Sequence, residues 1–243
     1  MEVRMLSIAI VTGASSGIGQ AIASVLLEHN YRVYGLSRTK PKNQTLITHP
    51  EFTSICIDLT NTNSLLDCIN DIKKEGPISL LVNNAGVGYY GPHEELNIRK
   101  LHEMVMVNVE VPLLLSNLLL RDLKKMQGTI INISSVTATK ANPHGCAYGA
   151  TKAALSNFST SLFEETRKYG VRIVTIQPDM TKTNLYRNAN FHEADEPDTY
   201  LCPDEVAEAV RYALSVRPGI LIRELTLQPQ KHQIKRKVVN KNQ

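Results

Sequence analysis

The sequence predicts a three-layer α/β fold, a doubly wound parallel β-sheet with helices on both faces. Short apolar runs alternate with amphipathic stretches along nearly the whole chain, and this alternation is typical of repeated βαβ units. The first apolar run leads through a glycine-rich loop directly into a helical pattern. A length of 243 residues suits one compact domain. We assign that domain to residues 1–230 and a basic tail to residues 231–243.

Seven apolar runs are strand candidates, because each is rich in β-branched or other apolar residues and too short for a typical helix. In chain order they are residues 7–11, 32–37, 53–57, 80–82, 129–133, 171–177 and 220–224. Five stretches between them repeat apolar residues at the spacing of one helix face, at residues 18–28, 64–74, 99–125, 148–168 and 203–215. Residues 184–202 fit neither pattern, and an irregular segment of that length in a compact domain is often functional.

The net charge of +4 comes from the end of the chain. Five basic residues and no acid follow Gln230, so the rest of the protein is close to neutral; they are Lys231, Lys235, Arg236, Lys237 and Lys241. A basic tail could touch nucleic acid or anionic lipid, but a solvated, frayed end is the commoner outcome. We therefore expect neither a nucleic-acid nor a membrane partner.

The cysteines and the most apolar stretch indicate the cellular setting. Four cysteines are scattered without a Cys-x-x-Cys pair, at Cys56, Cys68, Cys146 and Cys202. This argues against a disulfide framework or a zinc site and for a reducing compartment, and we predict no metal. The chain opens without a secretory signal pattern, and residues 109–120 are too short to cross a bilayer. A cytoplasmic location is expected.

Residues 12–19 combine the features of a phosphate-binding loop. The sequence Thr-Gly-Ala-Ser-Ser-Gly-Ile-Gly lies between a predicted strand and a predicted helix, and the free N–H groups and dipole of a helix N-terminus attract an anion. Gly13 would permit the tight turn, Gly17 the approach of a pyrophosphate to the backbone, and Gly19 close packing of helix and strand.

Tyr148 and Lys152 are four residues apart in a predicted helix, so both side chains lie on one face. A cation beside a phenol favours the phenolate and lowers a pKa that is ordinarily ~10. Such a tyrosine can give a proton to a carbonyl oxygen or take one from an alcohol. We therefore expect a lowered pKa for Tyr148 and an acid/base role.

Five motifs, in order along residues 5–226, together resemble those of the short-chain dehydrogenase/reductases. They are the loop at residues 12–19, the turn Asn83-Asn84-Ala85-Gly86, Asn108, Ser135 and the pair Tyr148 and Lys152. The resemblance implies a Rossmann-type fold, a nicotinamide cofactor and hydride transfer to or from a carbonyl carbon. It also implies an oligomer, a dimer or tetramer, built through the helices at residues 99–125 and 148–168.

The same resemblance implies roles for the catalytic set. Tyr148 would be the general acid/base, and Lys152 would lower its pKa and hold the nicotinamide ribose. Ser135 would hydrogen-bond the substrate oxygen, with Ser134 the weaker candidate by spacing. Asn108 would hold a water that relays protons to Lys152.

The end of the second strand indicates which cofactor is used. An acid there accepts hydrogen bonds from a ribose 2′-hydroxyl and repels a 2′-phosphate, whereas an arginine does the opposite. Ser37 stands where NAD-dependent relatives often have aspartate, and Arg38 follows. We therefore expect NADP(H) in preference to NAD(H), although Ser16 occupies a position that is sometimes basic. The cofactor contacts implied are Gly13, Ser15, Ser16, Gly17, Ile18, Gly19, Ser37, Arg38, Asp58, Leu59, Asn84, Ala85, Gly86, Asn108, Tyr148, Lys152, Pro178, Thr181 and Thr183.

One departure from the family's pattern is Asp179, where relatives usually have glycine after Pro178. Three roles are open for Asp179: it distorts the turn, recognises a polar substrate, or faces solvent, and the last is favoured. Residues 184–202 resemble the family's substrate lid and carry several acids, which favours a small polar substrate.

These patterns predict an NADP(H)-dependent oxidoreductase acting on a carbonyl or secondary alcohol. A non-catalytic NAD(P)-binding regulator is the alternative, although it would not need Asn108, Ser135, Tyr148 and Lys152 together. A nucleic-acid binder that uses the basic tail is the second alternative.

Overall fold

A computed structural model describes residues 6–237 and contains a seven-stranded sheet in which all strands are parallel. The strand order is β3-β2-β1-β4-β5-β6-β8. The chain therefore adds β2 and β3 on one side of β1. It then crosses to the other side of β1, where it adds β4, β5, β6 and β8. The strands are β1 Ile8–Thr12, β2 Arg32–Ser37, β3 Phe52–Cys56, β4 Ile78–Asn83, β5 Thr129–Ile133, β6 Arg172–Pro178 and β8 Glu224–Leu227. This confirms the predicted doubly wound α/β fold.

Helices cover both faces of the sheet and create two apolar cores. Alternate residues of β1 supply the two cores, with Ala9 and Val11 facing one and Ile8 and Ile10 the other, as the two-residue period of a strand requires. Helices α1 and α7 pack on the first face, and α3, α5 and α6 on the second. The helices are α1 Gly17–Glu28, α2 Gln44–Ile47, α3 Thr62–Glu75, α4 Ile98–Val105, α5 Val111–Met126, α6 Cys146–Thr166 and α7 Pro203–Ser215.

Most predicted elements match the observed ones to within two residues, but the last strand of the large sheet does not. We predicted it at residues 220–224, and it occupies Glu224–Leu227 instead. Gly219 has a φ of +84°, and β8 pairs with β6 only from Glu224 onward. An apolar run after a Pro-Gly turn does not show where a strand begins, because the strand starts only where the neighbouring strand offers backbone hydrogen bonds.

The predicted helix at residues 99–125 is interrupted by a wide π-helical turn, Met106–Glu110, between α4 and α5. Proline lacks an N–H group, so Pro112 cannot donate the bond that an α-helix would direct to the carbonyl of Asn108. The whole run Ile98–Met126 is long and apolar enough to cross a membrane by length and composition alone. In the structure, however, α5 buries Leu115, Leu119 and Leu123 against the sheet.

The predicted lid and the basic tail are paired with each other. Strand β7, Phe191–Glu193, lies in the lid and pairs antiparallel with β9, Ile234–Arg236, in the tail. Residues 231–237 are solvent-exposed, as expected, but the expectation of a frayed end is wrong for them, because three of them are paired in β9. Residues 238–243, with Lys241, lie outside the described residues. Sequence periodicity missed β7 and β9 because each has only three residues.

Candidate active site

A cleft with a volume of about 590 Å³ opens at the carboxyl ends of the strands, beside the junction of β1 and β4. Ligands of doubly wound folds bind at this point, where the strand order reverses. The cleft brings together nearly all the predicted site residues. Gly19 and Asn108 are the exceptions within the described chain: both are buried behind the cleft wall.

The glycine loop has the backbone expected of an anion site. Gly13 and Gly17 have φ values of +69° and +55°, which favour glycine. Within residues 16–20, all of them described, the Ser16 side chain caps no backbone N–H group of α1. The first turn therefore presents its N–H groups to the cleft.

Gly19 allows α1 to pack closely against the residue that follows β1, as predicted, and also against the turn after β4. A Cβ at this position would lie 2.4 Å from both Asn84 Nδ2 and the Gly13 carbonyl oxygen. Gly19 therefore permits the glycine loop to close against the turn that follows β4.

That turn is hydrogen-bonded to the end of β1. The backbone N–H groups of Asn84 and Ala85 both donate to Thr12 Oγ1, each at 3.0 Å. Asn84 Nδ2 donates to the Thr12 carbonyl at 2.8 Å. These bonds join the two central strands where the cleft begins, so Asn84 stabilises the centre of the sheet.

Tyr148 and Lys152 lie on one face of α6 and are both buried. Lys152 Nζ donates to the Ile133 carbonyl at 2.8 Å and lies 5.7 Å from the centre of the Tyr148 ring. Burial lowers the pKa of Lys152 to about 8, so the ammonium remains the main form at neutral pH.

The predicted lowering of the Tyr148 pKa is wrong for this arrangement. Burial raises the pKa of Tyr148 well above its usual value, and the Ser135 hydroxyl lowers it by a smaller amount. Desolvation dominates because the phenolate would lose its hydration. Tyr148 is therefore a neutral phenol at physiological pH, which is the form that gives a proton.

The two neighbouring serines point to different partners. Ser134 Oγ donates to the Lys152 carbonyl at 3.0 Å and lies 2.8 Å from Ser156 Oγ. It is engaged with α6 and therefore unsuited to holding a substrate. Ser135 accepts bonds from the N–H and the hydroxyl of Thr137, at 3.2 and 3.0 Å. The Ser135 proton is free to be donated toward Tyr148 or a substrate oxygen.

Asn108 occupies the middle of the π-helical turn and is fully buried. Its Oδ1 accepts from the Val87 N–H, and its Nδ2 donates to the Val87 carbonyl, both at 2.9 Å. Nδ2 also donates to Thr151 Oγ1 at 3.0 Å. These three bonds tie α6 to the chain after β4, and π-helical turns are often found at functional sites.

The sequence profile described as short chain dehydrogenase matches residues 7–194. The chain belongs to the short-chain dehydrogenase/reductase family. An uncharacterised oxidoreductase of Staphylococcus aureus strain USA300 is 30% identical over 234 residues, which cover 94% of this chain and all of the relative.

Two solved structures show the same fold over nearly their whole length. An alcohol dehydrogenase from the archaeon Thermococcus sibiricus, complexed with 5-hydroxy-NADP, superposes with a TM-score of 0.84 at 26% identity. The alignment covers 94% of this chain and 99% of that protein. A metagenomic short-chain oxidoreductase in complex with NADP gives a TM-score of 0.78 at 29% identity, over 92% and 98% of the two chains.

At the far end of the cleft of this short-chain dehydrogenase, Arg38 is half-exposed beside an acid that the sequence did not indicate. Arg38 Nη1 lies 3.5 Å from Glu103 Oε1, and Tyr89 donates to the other carboxylate oxygen of Glu103 at 2.5 Å. Ser37 donates to the Thr39 carbonyl at 2.8 Å. Hydrogen bonds from Thr60 lower the pKa of Asp58, so this carboxyl group is ionised at neutral pH.

In the turn after β6, the side chain of Asp179 makes hydrogen bonds that stabilise the fold. The Asp179 carboxylate accepts the Met180 N–H at 2.8 Å and Gln228 Nε2 at 2.9 Å. The turn continues with Thr181, whose hydroxyl donates to the Asp179 carbonyl at 2.9 Å, and with Thr183, whose Cγ2 would lie 3.1 Å from a Cβ at Gly17. Asp179 therefore joins this turn to the residue that follows β8, a structural role that the sequence did not suggest. It also lines the cleft and is partly exposed, so recognition of a polar substrate stays a prediction.

We expect Asp179→Asn to change substrate choice little, because both carboxylate oxygens already have partners and the amide keeps one acceptor. The ratio of kcat/KM for a 2-oxo acid to that for its methyl ester should change less than about threefold. The matched control Gln228→Leu releases one carboxylate oxygen and should shift the ratio more. A shift above about tenfold for Asp179→Asn alone would show that the charge faces the substrate.

Tyr186 and Phe191 belong to the predicted lid, but the sequence did not show that they form an aromatic wall with Tyr90 beside Tyr148. Tyr90 stacks 5.6 Å from Tyr148, and Tyr186 and Phe191 of the lid lie 5.9 and 5.2 Å from Tyr90, between ring centroids. Burial raises the pKa of both Tyr90 and Tyr186. The sequence signal that could have indicated this wall is the pair Tyr89 and Tyr90, shortly after the turn that follows β4.

Proposed function

We propose that this protein is an NADP(H)-dependent oxidoreductase that transfers a hydride between the nicotinamide and a carbonyl or secondary alcohol. The observation that carries the proposal is the convergence of Ser135, Tyr148 and Lys152 on one wall of a cleft whose other end is the glycine loop. Each residue suits a separate role: Ser135 can donate a hydrogen bond to the substrate, Tyr148 can donate a proton, and Lys152 provides a positive charge.

The cleft fits the cofactor on its own geometry. The positive φ values of Gly13 and Gly17 and the uncapped first turn of α1 form a cradle for the pyrophosphate. Arg38 would hold a 2′-phosphate, and Lys152 the nicotinamide ribose. Asp58 and Leu59 would contact adenine, while Thr181 and Thr183 would hold the carboxamide. When bound, the nicotinamide supplies the site that donates or accepts a hydride.

The side chains would then donate the proton and restore it. Tyr148 is neutral at physiological pH and would give its proton to a carbonyl oxygen, which Ser135 would hold by a hydrogen bond. Lys152 keeps its charge at neutral pH, because its pKa of about 8 is still above 7, and would stabilise the phenolate that is left. Asn108 would hold, as the family resemblance implies, a water that relays protons to Lys152.

Oxidation of NADPH in the presence of a panel of neutral aldehydes and ketones tests this function directly. Turnover with at least one member is expected. Tight binding of NADPH with no turnover across the panel would favour the alternative, a non-catalytic regulator that senses the cofactor.

NADP(H) preference should depend on Arg38. We expect Arg38→Ala to raise the KM for NADPH about ten- to a hundred-fold and to change that for NADH little, since a charged hydrogen bond is worth ~1.5–3 kcal/mol. The two NADP-bound neighbours support this choice.

Glu103→Gln is the matched control for this experiment. It removes a negative charge 3.5 Å from the Arg38 guanidinium, which competes with a 2′-phosphate for that cation. It should therefore lower the KM for NADPH. Equal changes for both cofactors in Arg38→Ala would show that Arg38 does not discriminate between them.

We also propose a homo-oligomer, a dimer or tetramer, located in the cytoplasm. Ile98 and Val105 on α4 are 82% and 52% exposed, and Leu113 on α5 is 38% exposed, so this face offers apolar surface to a second copy. All four cysteines are free, as a reducing compartment favours. Light scattering of the purified protein tests the assembly.

A further inference from the structure

The segment Lys231–Lys237 makes close contacts with the lid, each with a defined partner. Lys231 Nζ lies 2.8 Å from Asp198 Oδ2, and Lys235 forms an ion pair with Asp195. The Lys231 N–H donates to the Asp198 carbonyl at 2.9 Å. Two of the four acids that the sequence assigned to substrate selection, Asp195 and Asp198, are therefore paired with lysines of the chain's own tail.

Lys237 binds closest to the cleft. Its Nζ donates to the carbonyls of Tyr186 and Arg187, at 3.0 and 3.1 Å, and its N–H donates to the Asn190 carbonyl at 2.7 Å. The two carbonyls belong to the short 3₁₀ helix Asn184–Asn188. A cation stabilises the C-terminal carbonyls of a helical turn, so Lys237 holds the turn that carries Tyr186.

The parts held in this way are the aromatic side chains above the catalytic tyrosine. Phe191 lies in β7, directly opposite Arg236 of β9, and packs edge-on against Tyr90. Tyr186 and Phe191 lie 5.5 Å apart. A two-stranded ribbon is only marginally stable in water, so the position of this wall depends on the contacts from residues 231–237.

We propose that the segment Lys231–Lys237 is a specificity-determining part of the substrate site. By holding the lid, it places Tyr186 and Phe191 so that they and Tyr90 enclose an uncharged substrate with a flat apolar group next to the reacting carbon. Aromatic rings in such a wall favour stacking and edge contacts with a flat group. This inference rests on the proposed oxidoreductase function, and it replaces the expectation of a small polar substrate.

The test compares two truncated proteins. Deletion of residues 231–243 removes the segment, whereas deletion of residues 238–243 removes another lysine but leaves the segment intact. Amide hydrogen exchange of residues 184–193 should be at least about tenfold faster in the longer deletion, and unchanged in the shorter one. This readout needs no turnover, so it separates failure of the inference from failure of the proposed function.

Kinetics with two probes test the effect on specificity. In the longer deletion, the KM for benzaldehyde should rise at least about fivefold, whereas the KM for propanal and the Kd for NADPH should change less than about twofold. Full-length Lys237→Met, which retains the aliphatic stem but not the charge, should show the same pattern to a smaller degree.

Exchanging two charges in the full-length protein tests the proposal even if the truncated chain does not fold. Lys235→Asp should accelerate lid exchange, and combining it with Asp195→Lys should restore slow exchange. Added salt should accelerate exchange in the wild type, because exposed ion pairs are screened. Unchanged lid exchange in the longer deletion, or equal changes in KM for both aldehydes, would overturn the proposal.

Discussion

Replacing Tyr148 with phenylalanine should lower kcat for carbonyl reduction by about 10²–10⁴-fold, because the proton donor is lost while the ring remains. The ring packs against Tyr90 at 5.6 Å, so the variant should fold normally. The Kd for NADPH should stay within about threefold of the wild type. Single-turnover kinetics with a fixed carbonyl and a titration of NADPH measure the two effects separately.

Tyr90→Phe is the matched control for this variant. It removes a phenol hydroxyl from the same buried wall, yet Tyr90 has no proton to transfer in the proposed chemistry. Its kcat should stay within about tenfold of the wild type. Similar losses in both variants would mean that removing any hydroxyl disturbs the pocket, and the acid/base role of Tyr148 would have to be abandoned.

Lys152→Met should abolish measurable turnover and also change how stability depends on pH. The pKa of Lys152 is lowered from 10.5 to about 8 in the folded protein. Between these values the unfolded chain binds the proton that the folded chain has released, so wild-type stability rises with pH. From pH 7.5 to 9.5 this contribution amounts to about 2 kcal/mol.

The Met variant lacks this titration. Between pH 7.5 and 9.5, the free energy of unfolding of the wild type should therefore rise by about 2 kcal/mol relative to that of Lys152→Met. Urea unfolding at the two pH values measures it. Tyr148→Phe retains Lys152 and should show the same rise as the wild type. A parallel pH dependence in wild type and Lys152→Met would show that the buried ammonium has an ordinary pKa.

Short-range patterns predicted the sheet correctly and indicated most of the polar residues that line the cleft. The glycine loop and the Tyr148–Lys152 pair depend on local backbone spacing, and the structure places them in one cleft. Two features depend on contacts distant in sequence and were missed or predicted wrongly. Burial in the packed fold raises the pKa of Tyr148, and the pairing of the acidic lid with the basic tail joins residues 40 positions apart.

Asn108 illustrates a third limit. The family resemblance singled out Asn108, but its three simultaneous hydrogen bonds to Val87 and Thr151 depend on the spacing of two other parts of the fold. Only the packed fold provides that spacing, since the partners lie 21 residues before and 43 residues after it.

The pairing of β7 with β9 also has a consequence for biosynthesis. Translation delivers the chain from its N-terminus, and domains begin to fold as they emerge, so the large sheet can form while the last residues are still in the ribosome. The ribbon over the cleft cannot form until Ile234–Arg236 has been released. The aromatic wall over the cleft would thus be completed only after the large sheet has formed.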